Sequence, residues 1–524
     1  VRSSLAATLA FAVALVSAVT GVAARAQNAS APPSPHRFTF RLPGDPSTLD
    51  WNLASTVIES FILRNIMEGL VTITPELKIA PALATSWETS ADGRIYTFHL
   101  RQDVKWSDGV ALKARDFVFS WKRLLLPATA ANFSTLLYDV DGAELFNRGK
   151  IQDFDSVGIK ALDDSTLQIK LARAVPHWIY IPAFWSLYPL RQDIVEANGA
   201  GWEKPGRIVT LGPYLLRSHD LDDRVVLGAN PLYYGVRGNV DEAVGLVVPD
   251  STLAVHMFDA GQLDFCIDVP VSPAIQKRKE FRALPYFRTV SLGFADKRYP
   301  VSNPKVRRAI AMALDRSRIS ALHPGLVPAD SFVPAGVPGH EADTLPFDPV
   351  RAKRELAAAG IELGAGGLKL ELLALDSDKT RAAATLVQQG LESQLGIHVT
   401  VTALPSRKFY EQLDMKSYAL FITGWTGLYP DPFAFLSIFA GGSLNNQGEW
   451  KNAEYDSQLE IAQGVADPAR RLDEFHKLQK MLLQDHAVVA PIYFDRYLTL
   501  TSARASGVEL SPLNYLIIKN IRID

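Results

Sequence analysis

A single cysteine, Cys266, in a chain of 524 residues excludes an intramolecular disulfide, so the fold must rest on its core alone. Cys266 stands between Phe265 and Ile267 and reads as a small buried hydrophobe. Charge of one sign is also lacking. The formal net charge is −2, which removes whole-protein electrostatics as a route to nucleic acid or to a membrane surface. The ten histidines are scattered, with no His-Glu-x-x-His and no pair at metal-ligand spacing, and no Gly-x-Ser-x-Gly elbow is found. Gly364-Ala-Gly-Gly367 fits neither a P-loop nor a dinucleotide fingerprint. Asp108, Asp116 and Asp264 are isolated acids near turns, where helix capping accounts for them as well as catalysis would. Together these absences argue against an enzyme, a cofactor and a metal.

Long apolar runs are confined to the N-terminus. Arg2 precedes the run Leu5–Ala24, and Ala24-Arg25-Ala26 offers small residues at the two positions before a cut. Residues 1–26 are therefore expected to be an export signal, cleaved near Ala26 rather than kept as an anchor. No cysteine near the cut supports a lipid-anchored form. Residues 27–36 read as a flexible lead-in. The whole chain, with 48% hydrophobic and 21% charged residues, has the composition expected of a soluble globular protein. Its length suggests two to four domains.

Hydrophobic periodicity then marks out α/β domains. His36–Leu42 alternates as a half-buried strand, and Ile58–Leu70 carries apolar residues at helical spacing. Tyr96–Leu100 and Leu167–Leu171 predict strands around a helix over Lys113–Leu125, an α+β insertion with its own small sheet. Gly201–Gly212 marks a boundary. Further strands are predicted at Arg224–Leu227 and Ala243–Val248, and helices at Ser251–Ala260 and Pro304–Leu314, the latter capped by Asn303. Pro328–Pro349 reads as a long surface loop. Leu368–Leu375, Thr380–Leu395 and Ile397–Leu404 predict a parallel strand–helix–strand unit. Ser417–Thr423 predicts another strand, Arg470–Leu483 an amphipathic helix, and Val488–Phe494 and Leu516–Ile523 the last strands. Domains interrupted in this way imply two lobes, a hinge and a cleft.

The stretch Ile422–Phe435 draws attention to itself. Gly424 and Gly427 allow a close backbone approach, Trp425 and Tyr429 sit about one turn apart, and Pro430-Asp-Pro432 makes a turn that can start a helix. A strand end breaking into such a loop can wall a pocket or pack a core.

Several motifs in order carry a resemblance. Tyr96-Thr-Phe-His-Leu-Arg101, Val104-Lys-Trp-Ser-Asp-Gly109 and Ala114-Arg-Asp-Phe-Val-Phe-Ser-Trp121 come first. Gly212-Pro-Tyr214, Asn303-Pro-Lys-Val-Arg-Arg-Ala309 with Ala313-Leu-Asp315, and Phe347-Asp-Pro349 with Ala352-Lys353 follow, then Gly424-Trp425 with Tyr429-Pro-Asp-Pro432. The set resembles the extracellular solute-binding proteins of family 5, the receptors of ABC importers. Pro127-Ala-Thr-Ala130, Trp202-Glu-Lys-Pro-Gly206 with Ile208-Val-Thr210, and Pro491-Ile-Tyr493 resemble its oligopeptide-binding branch. The resemblance covers essentially all of 37–524.

That resemblance implies a periplasmic-binding-protein type II-like fold of three domains: domain I from 37–71, 201–293 and 496–524, domain II from 72–200, and domain III from 294–495. It implies a monomeric periplasmic receptor that closes on a peptide or peptide-like solute and delivers it to permease and ATPase subunits. It would place Ser55, Thr56 and Val57 on a ligand-pairing segment of domain I, and Gly424, Trp425 and Thr426 on that of domain III. Phe133 would close the site from domain II, where the branch often has Tyr, and Tyr493 would sit at the hinge side. Leu428 and Tyr429 would belong to the ligand-facing wall.

Two departures from the branch stand out. Leu428 occupies a position that is usually acidic and pairs with the peptide's amino group, and Ile422 stands where an Arg can occur. A buried ammonium without a partner costs several kcal/mol, roughly two or more decades of affinity. The expectation is a receptor for an N-blocked or modified peptide or for a less charged non-peptide solute, unless Asp431 serves as the amine's partner. A binding module that senses or chaperones without transport is the other alternative.

Overall fold

Two long strands hold the molecule together. In the computed structural model, which describes residues 36–362 and 367–524, Phe281–Phe294 and Val489–Thr501 run 14 and 13 residues and pair antiparallel. The expected export signal and nearly all of the lead-in lie outside the described residues, as do three of the four residues Gly364–Gly367. One sheet passes through both long strands. Its order is 398–404, 369–375, 420–426, 281–294, 489–501, 265–267, 37–42, 242–247, 224–229 and 214–220.

The two strands lose register twice, by one residue between the pairs Val290–Tyr493 and Ser291–Pro491 and more widely between Pro285–Arg496 and Thr289–Phe494. Tyr286, Phe287 and Arg288 there oppose Asp495 alone. Such a bulge kinks the strand and sharpens its twist, and Pro285 supplies no N–H to the ladder. Phe287 bonds outside the pair instead: its N–H donates to the Pro512 carbonyl at 2.9 Å, and its own carbonyl accepts from Gly427 N–H at 3.1 Å. This is the crossing point between a first lobe, up to Pro285 and from Arg496 onward, and a second lobe between them. The crossing precedes residue 294, where composition changes, because the strand runs unbroken through that change.

In the second lobe, Lys369–Leu375 and His398–Leu404 pair in parallel across the helix Asp378–Leu395, as the pattern predicts. Ser377 caps that helix, and Gly396, at φ 64°, ends it in the left-handed region. The inserted unit of the first lobe is a four-stranded antiparallel sheet ordered 84–89, 95–100, 166–170 and 159–161. Its core holds the aromatic residues of the sequence signature. Phe98, Trp106, Phe117, Trp121 and Trp178 are all fully buried. Trp121 Nε1 donates to the Leu187 carbonyl at 2.8 Å, and Trp106 Nε1 to Asp116 Oδ2 at 3.1 Å.

The isolated acids prove structural. Asp264 accepts from Arg504 Nε at 2.6 Å and Nη2 at 2.8 Å, and Asp108 pairs with Arg191 at 3.2 Å. Cys266 is fully buried, and burial pushes its thiol up to about 11. Among the described residues no helix is long and apolar enough to cross a membrane.

Two expectations fail for clear reasons. Pro328–Pro349 is no surface loop, since Ser331, Phe332, Val333 and Val337 are buried. Ser331 Oγ donates to Gln479 Oε1 at 2.8 Å, and the Phe332 carbonyl accepts from Thr289 Oγ1 at 2.8 Å. Leu516–Ile523 forms a strand only at Arg522–Ile523. Asn65 takes the Leu516 carbonyl through Nδ2 and the Ile518 N–H through Oδ1, both at 2.8 Å. A side chain thus satisfies the backbone groups a ladder would use.

The inserted unit is bound to the segment after the first strand through Asp50, 4% exposed. Arg123 Nη1 donates to Asp50 Oδ1 at 2.9 Å, and Trp202 Nε1 to Oδ2 at 3.2 Å. Asp50→Ala strands a partly buried guanidinium, and a loss of about 3 kcal/mol is expected, read as a lower midpoint in urea unfolding. An unchanged midpoint would show that the pair does not hold the two parts together.

Candidate ligand cleft

The strand Leu420–Thr426 meets the first crossing strand along its whole length, from Leu420 opposite Phe294 to Thr426 opposite Arg288. On its other edge only Leu420 and Phe421 are paired, with Leu372 and Leu373. From Ile422 to Thr426 that edge has no partner strand among the described residues. An extended ligand can add to such an edge through backbone hydrogen bonds.

Alternation decides what each residue faces. Trp425 and Thr423 turn toward a pocket of about 190 Å³ lined by Phe332, Tyr410, Leu413, Ile438 and Phe439, with Asn445, Asn446 and Gln447 at one side. No charged side chain lines it. Ser291 Oγ, buried at the same pocket, has no protein partner. Trp425 is half-buried, and its Nε1 donates to the Ala434 carbonyl at 2.7 Å. Gly424 and Thr426 take the other face, beneath Arg288. A Cβ on Gly424 would meet Arg288 Nη2 at 2.5 Å, so any larger residue there would displace the guanidinium. Arg288 Nη1 donates to Thr426 Oγ1 at 3.3 Å, and Tyr286 OH lies 3.2 Å from the same oxygen.

Ile422 shares the face of Gly424 and is 2% exposed within the second-lobe core. An apolar residue there serves packing, and it is not a ligand-facing position in this chain. Tyr493, expected at the hinge side, lies on the crossing strand two residues before Asp495 and is likewise 2% exposed against that core. Its register opposite Val290 and Pro328 turns the ring inward, and burial raises the phenol far above its ordinary value.

Ser55 and Thr56 are exposed ahead of the helix Val57–Ile66, where Thr56 is the N-cap and Val57 the first helical residue. Their N–H groups are already engaged: both donate to Glu59 Oε2, at 2.8 and 2.6 Å. An incoming backbone must therefore use other groups of this segment. Phe133 is half-buried, edge-on to Phe184 at 4.8 Å and to Trp185 at 5.6 Å. Trp185 Nε1 donates to the Ala54 carbonyl at 3.3 Å, which ties Phe133 to the Ser55 segment.

Leu428 and Tyr429 complete the wall. With Leu136, Tyr180, Ile181 and Phe184 from the inserted unit they enclose a small apolar gap between the lobes. Beside it the lobes interlock. His177 of the inserted unit stacks on Tyr429 at 5.4 Å and on Phe433 at 4.8 Å. Arg471 grips Asp431 through Nη1 at 2.6 Å and Nη2 at 2.9 Å, and Nη2 also donates to His177 Nδ1 at 3.0 Å. Because a guanidinium only donates, Nδ1 is unprotonated and the ring is neutral. Burial, with Arg471 and Arg173 near it and Asp431 opposing them, lowers the His177 pKa to about 4. Gln463 Nε2 donates across the lobes to Asp139 Oδ1 at 3.3 Å.

Asp431, the sequence's candidate amine partner, is 6% exposed and held by both oxygens. The sequence did not single out His177, Arg288 or Arg471. Only Gly424 hinted at one of them, by leaving space for Arg288.

Residues 78–447 match the profile of the bacterial extracellular solute-binding proteins, family 5 Middle. Over 513 residues the chain is 29% identical to the probable deoxycholate-binding periplasmic protein YgiS of Escherichia coli, covering 94% of this chain and 95% of that one. It is 29% identical over 494 residues to the periplasmic oligopeptide-binding protein OppA of Salmonella typhimurium, covering 91% and 90%. Among solved structures, the murein tripeptide binding protein MppA of Escherichia coli superposes with a TM-score of 0.79 at 26% identity, covering 93% of this chain and 98% of that one. The OppA of Haemophilus influenzae in complex with the peptide RPPGFSPFR gives 0.78 at 26%, covering 93% and 99%. A two-lobed α/β fold is thus shared with proteins whose family profile runs through most of this sequence, and the chain belongs to the bacterial extracellular solute-binding proteins of family 5.

Proposed function

We propose that this chain is the periplasmic receptor of an ABC importer for a peptide-like solute without a free amino terminus. The observation that carries the reading is Leu428. It lies among Leu136, Tyr180, Ile181 and Phe184, where an ammonium would find no acid, and Asp431 is already bound by Arg471. The pocket beside Trp425 likewise offers amides and hydroxyls but no charge. The free edge at Ile422–Thr426 supports a ligand with an extended backbone.

Ser55, Thr56, Val57, Phe133, Gly424, Trp425, Thr426, Leu428 and Tyr429 would surround that ligand, with the lobes dividing near Pro285 rather than at 294. Ligand bonds to both lobes would favour the closed form, which a membrane permease then receives. A relative named for deoxycholate, a ligand without an amine, favours an amphipathic non-peptide as the second reading.

Purified without refolding, the mature chain should yield an N-blocked peptide or amphipathic solute by native mass spectrometry. In calorimetry, an N-acetylated tetrapeptide should bind at least about tenfold tighter than its free-amine counterpart. Leu428→Asp should reverse that order. Tight binding of unmodified tri- to pentapeptides by the unaltered chain would overturn the reading.

His177 gives closure a pH dependence. Its pKa in the interlocked form is about 4, below the ordinary 6.5, so this form binds fewer protons than the open one between those values. Closure is fully supported above pH 6.5 and weakens as pH falls toward 4. Affinity should drop by about an order of magnitude at pH 5. His177→Phe, which keeps the ring stack, should flatten the profile; an equal drop in that variant would assign the effect elsewhere.

A further inference from the structure

The first lobe carries a second cavity, of about 500 Å³, a size typical of small-molecule sites (roughly 300–1,000 Å³). Its walls are the end of the helix Val57–Ile66 with the strand after it, and the segment 508–520 that returns along them. No described residue between Tyr286 and Asp495 lines it. It shares Ile73 and Tyr515 with the interlobe gap.

Met67, Val71, Leu284, Val508, Leu510 and Ile517 make most of the lining apolar. Set into it is Arg64. The guanidinium lies over the Tyr515 ring, with Cζ 3.3 Å from the centroid. Nη1 donates to the Ala183 carbonyl at 3.3 Å and reaches Tyr188 OH at 3.5 Å. Nε and Nη2 are buried and have no acceptor among the described residues. These two atoms share one edge of the guanidinium, the edge that grips a carboxylate with two parallel hydrogen bonds.

The other charges at the cavity do not supply that acceptor. Glu68 accepts from Tyr233 OH at 2.6 Å, from Tyr234 OH, and from Lys519 Nζ at 2.9 Å, so acid and lysine offset each other. Glu509 is exposed. What remains is one positive charge at the wall of a largely apolar chamber, its Nε–Nη2 edge covered from water and without an acceptor among the described residues. Burying such a charge is costly without an anionic partner.

We infer that this cavity is a second binding site, separate from the cleft, for a small amphipathic carboxylate: the acid on the Arg64 edge, the hydrocarbon body against Met67, Leu284 and Leu510. Such a ligand would engage the receptor whether or not the lobes are closed.

The test uses the mature chain, 2-naphthylacetate and its uncharged amide, 2-naphthylacetamide, in calorimetry. The acid is expected to bind at least about tenfold tighter than the amide. Arg64→Gln should erase the difference. Val508→Trp, which fills the chamber from the opposite wall without touching Arg64, should abolish binding while thermal stability is kept. A crystal grown with 6-bromo-2-naphthylacetate should place the bromine between Met67 and Leu510. Equal affinity for acid and amide, full binding by both variants, or bromine in the cleft between the lobes would each overturn the assignment.

Discussion

Everything that faces the cleft hangs from the antiparallel pair of crossing strands and the wider of the two breaks in its register. North of the break the first crossing strand carries Arg288 and the backbone that aligns Gly424–Thr426; on the other side its partner returns to the first lobe and leads to Tyr515. The three-against-one bulge leaves Phe287 free to bond to both lobes at once, through Gly427 and Pro512. Only two chain crossings meet here, so relative motion of the lobes can be absorbed by few dihedrals while both cores stay packed.

The surfaces that meet on closure differ in character along their length. Around Leu428 they are apolar, and burying a leucine is worth roughly 1.5–3 kcal/mol. Around Asp431 they are ionic, but that ion pair is already complete within the second lobe, and His177 merely adds one acceptor to Arg471. The arrangement lets the lobes meet without leaving a buried charge unpaired. An acid in place of Leu428 would need a cation from the ligand to close at comparable cost.

Much of this was legible in the sequence because strong periodicity and caps wrote it there. The parallel unit 369–404 was visible from its alternation, the serine cap and Gly396. Leu428 stood out against a resemblance resting on aromatic residues that the structure finds in the core of the inserted unit. The failures have local causes. Asn65 diverts Leu516–Ile523 from a ladder, and Gln479 pulls the proline-rich loop inward; both act across distances in sequence that no periodicity records. Tyr493 and Ile422 pack into the second-lobe core, since one residue of register separates the cleft face of a strand from its core face. His177, Arg471 and Arg64 carry no motif, and their roles arise only from folding.

The lone cysteine has a practical consequence. Cys266 sits fully buried in the central sheet of the first lobe, its thiol held protonated by its surroundings. The native chain is therefore silent toward thiol reagents. A pair of cysteines introduced on the outer faces of the two lobes could carry donor and acceptor dyes without background labelling. The separation of the lobes would then become a directly observable coordinate, followed one molecule at a time.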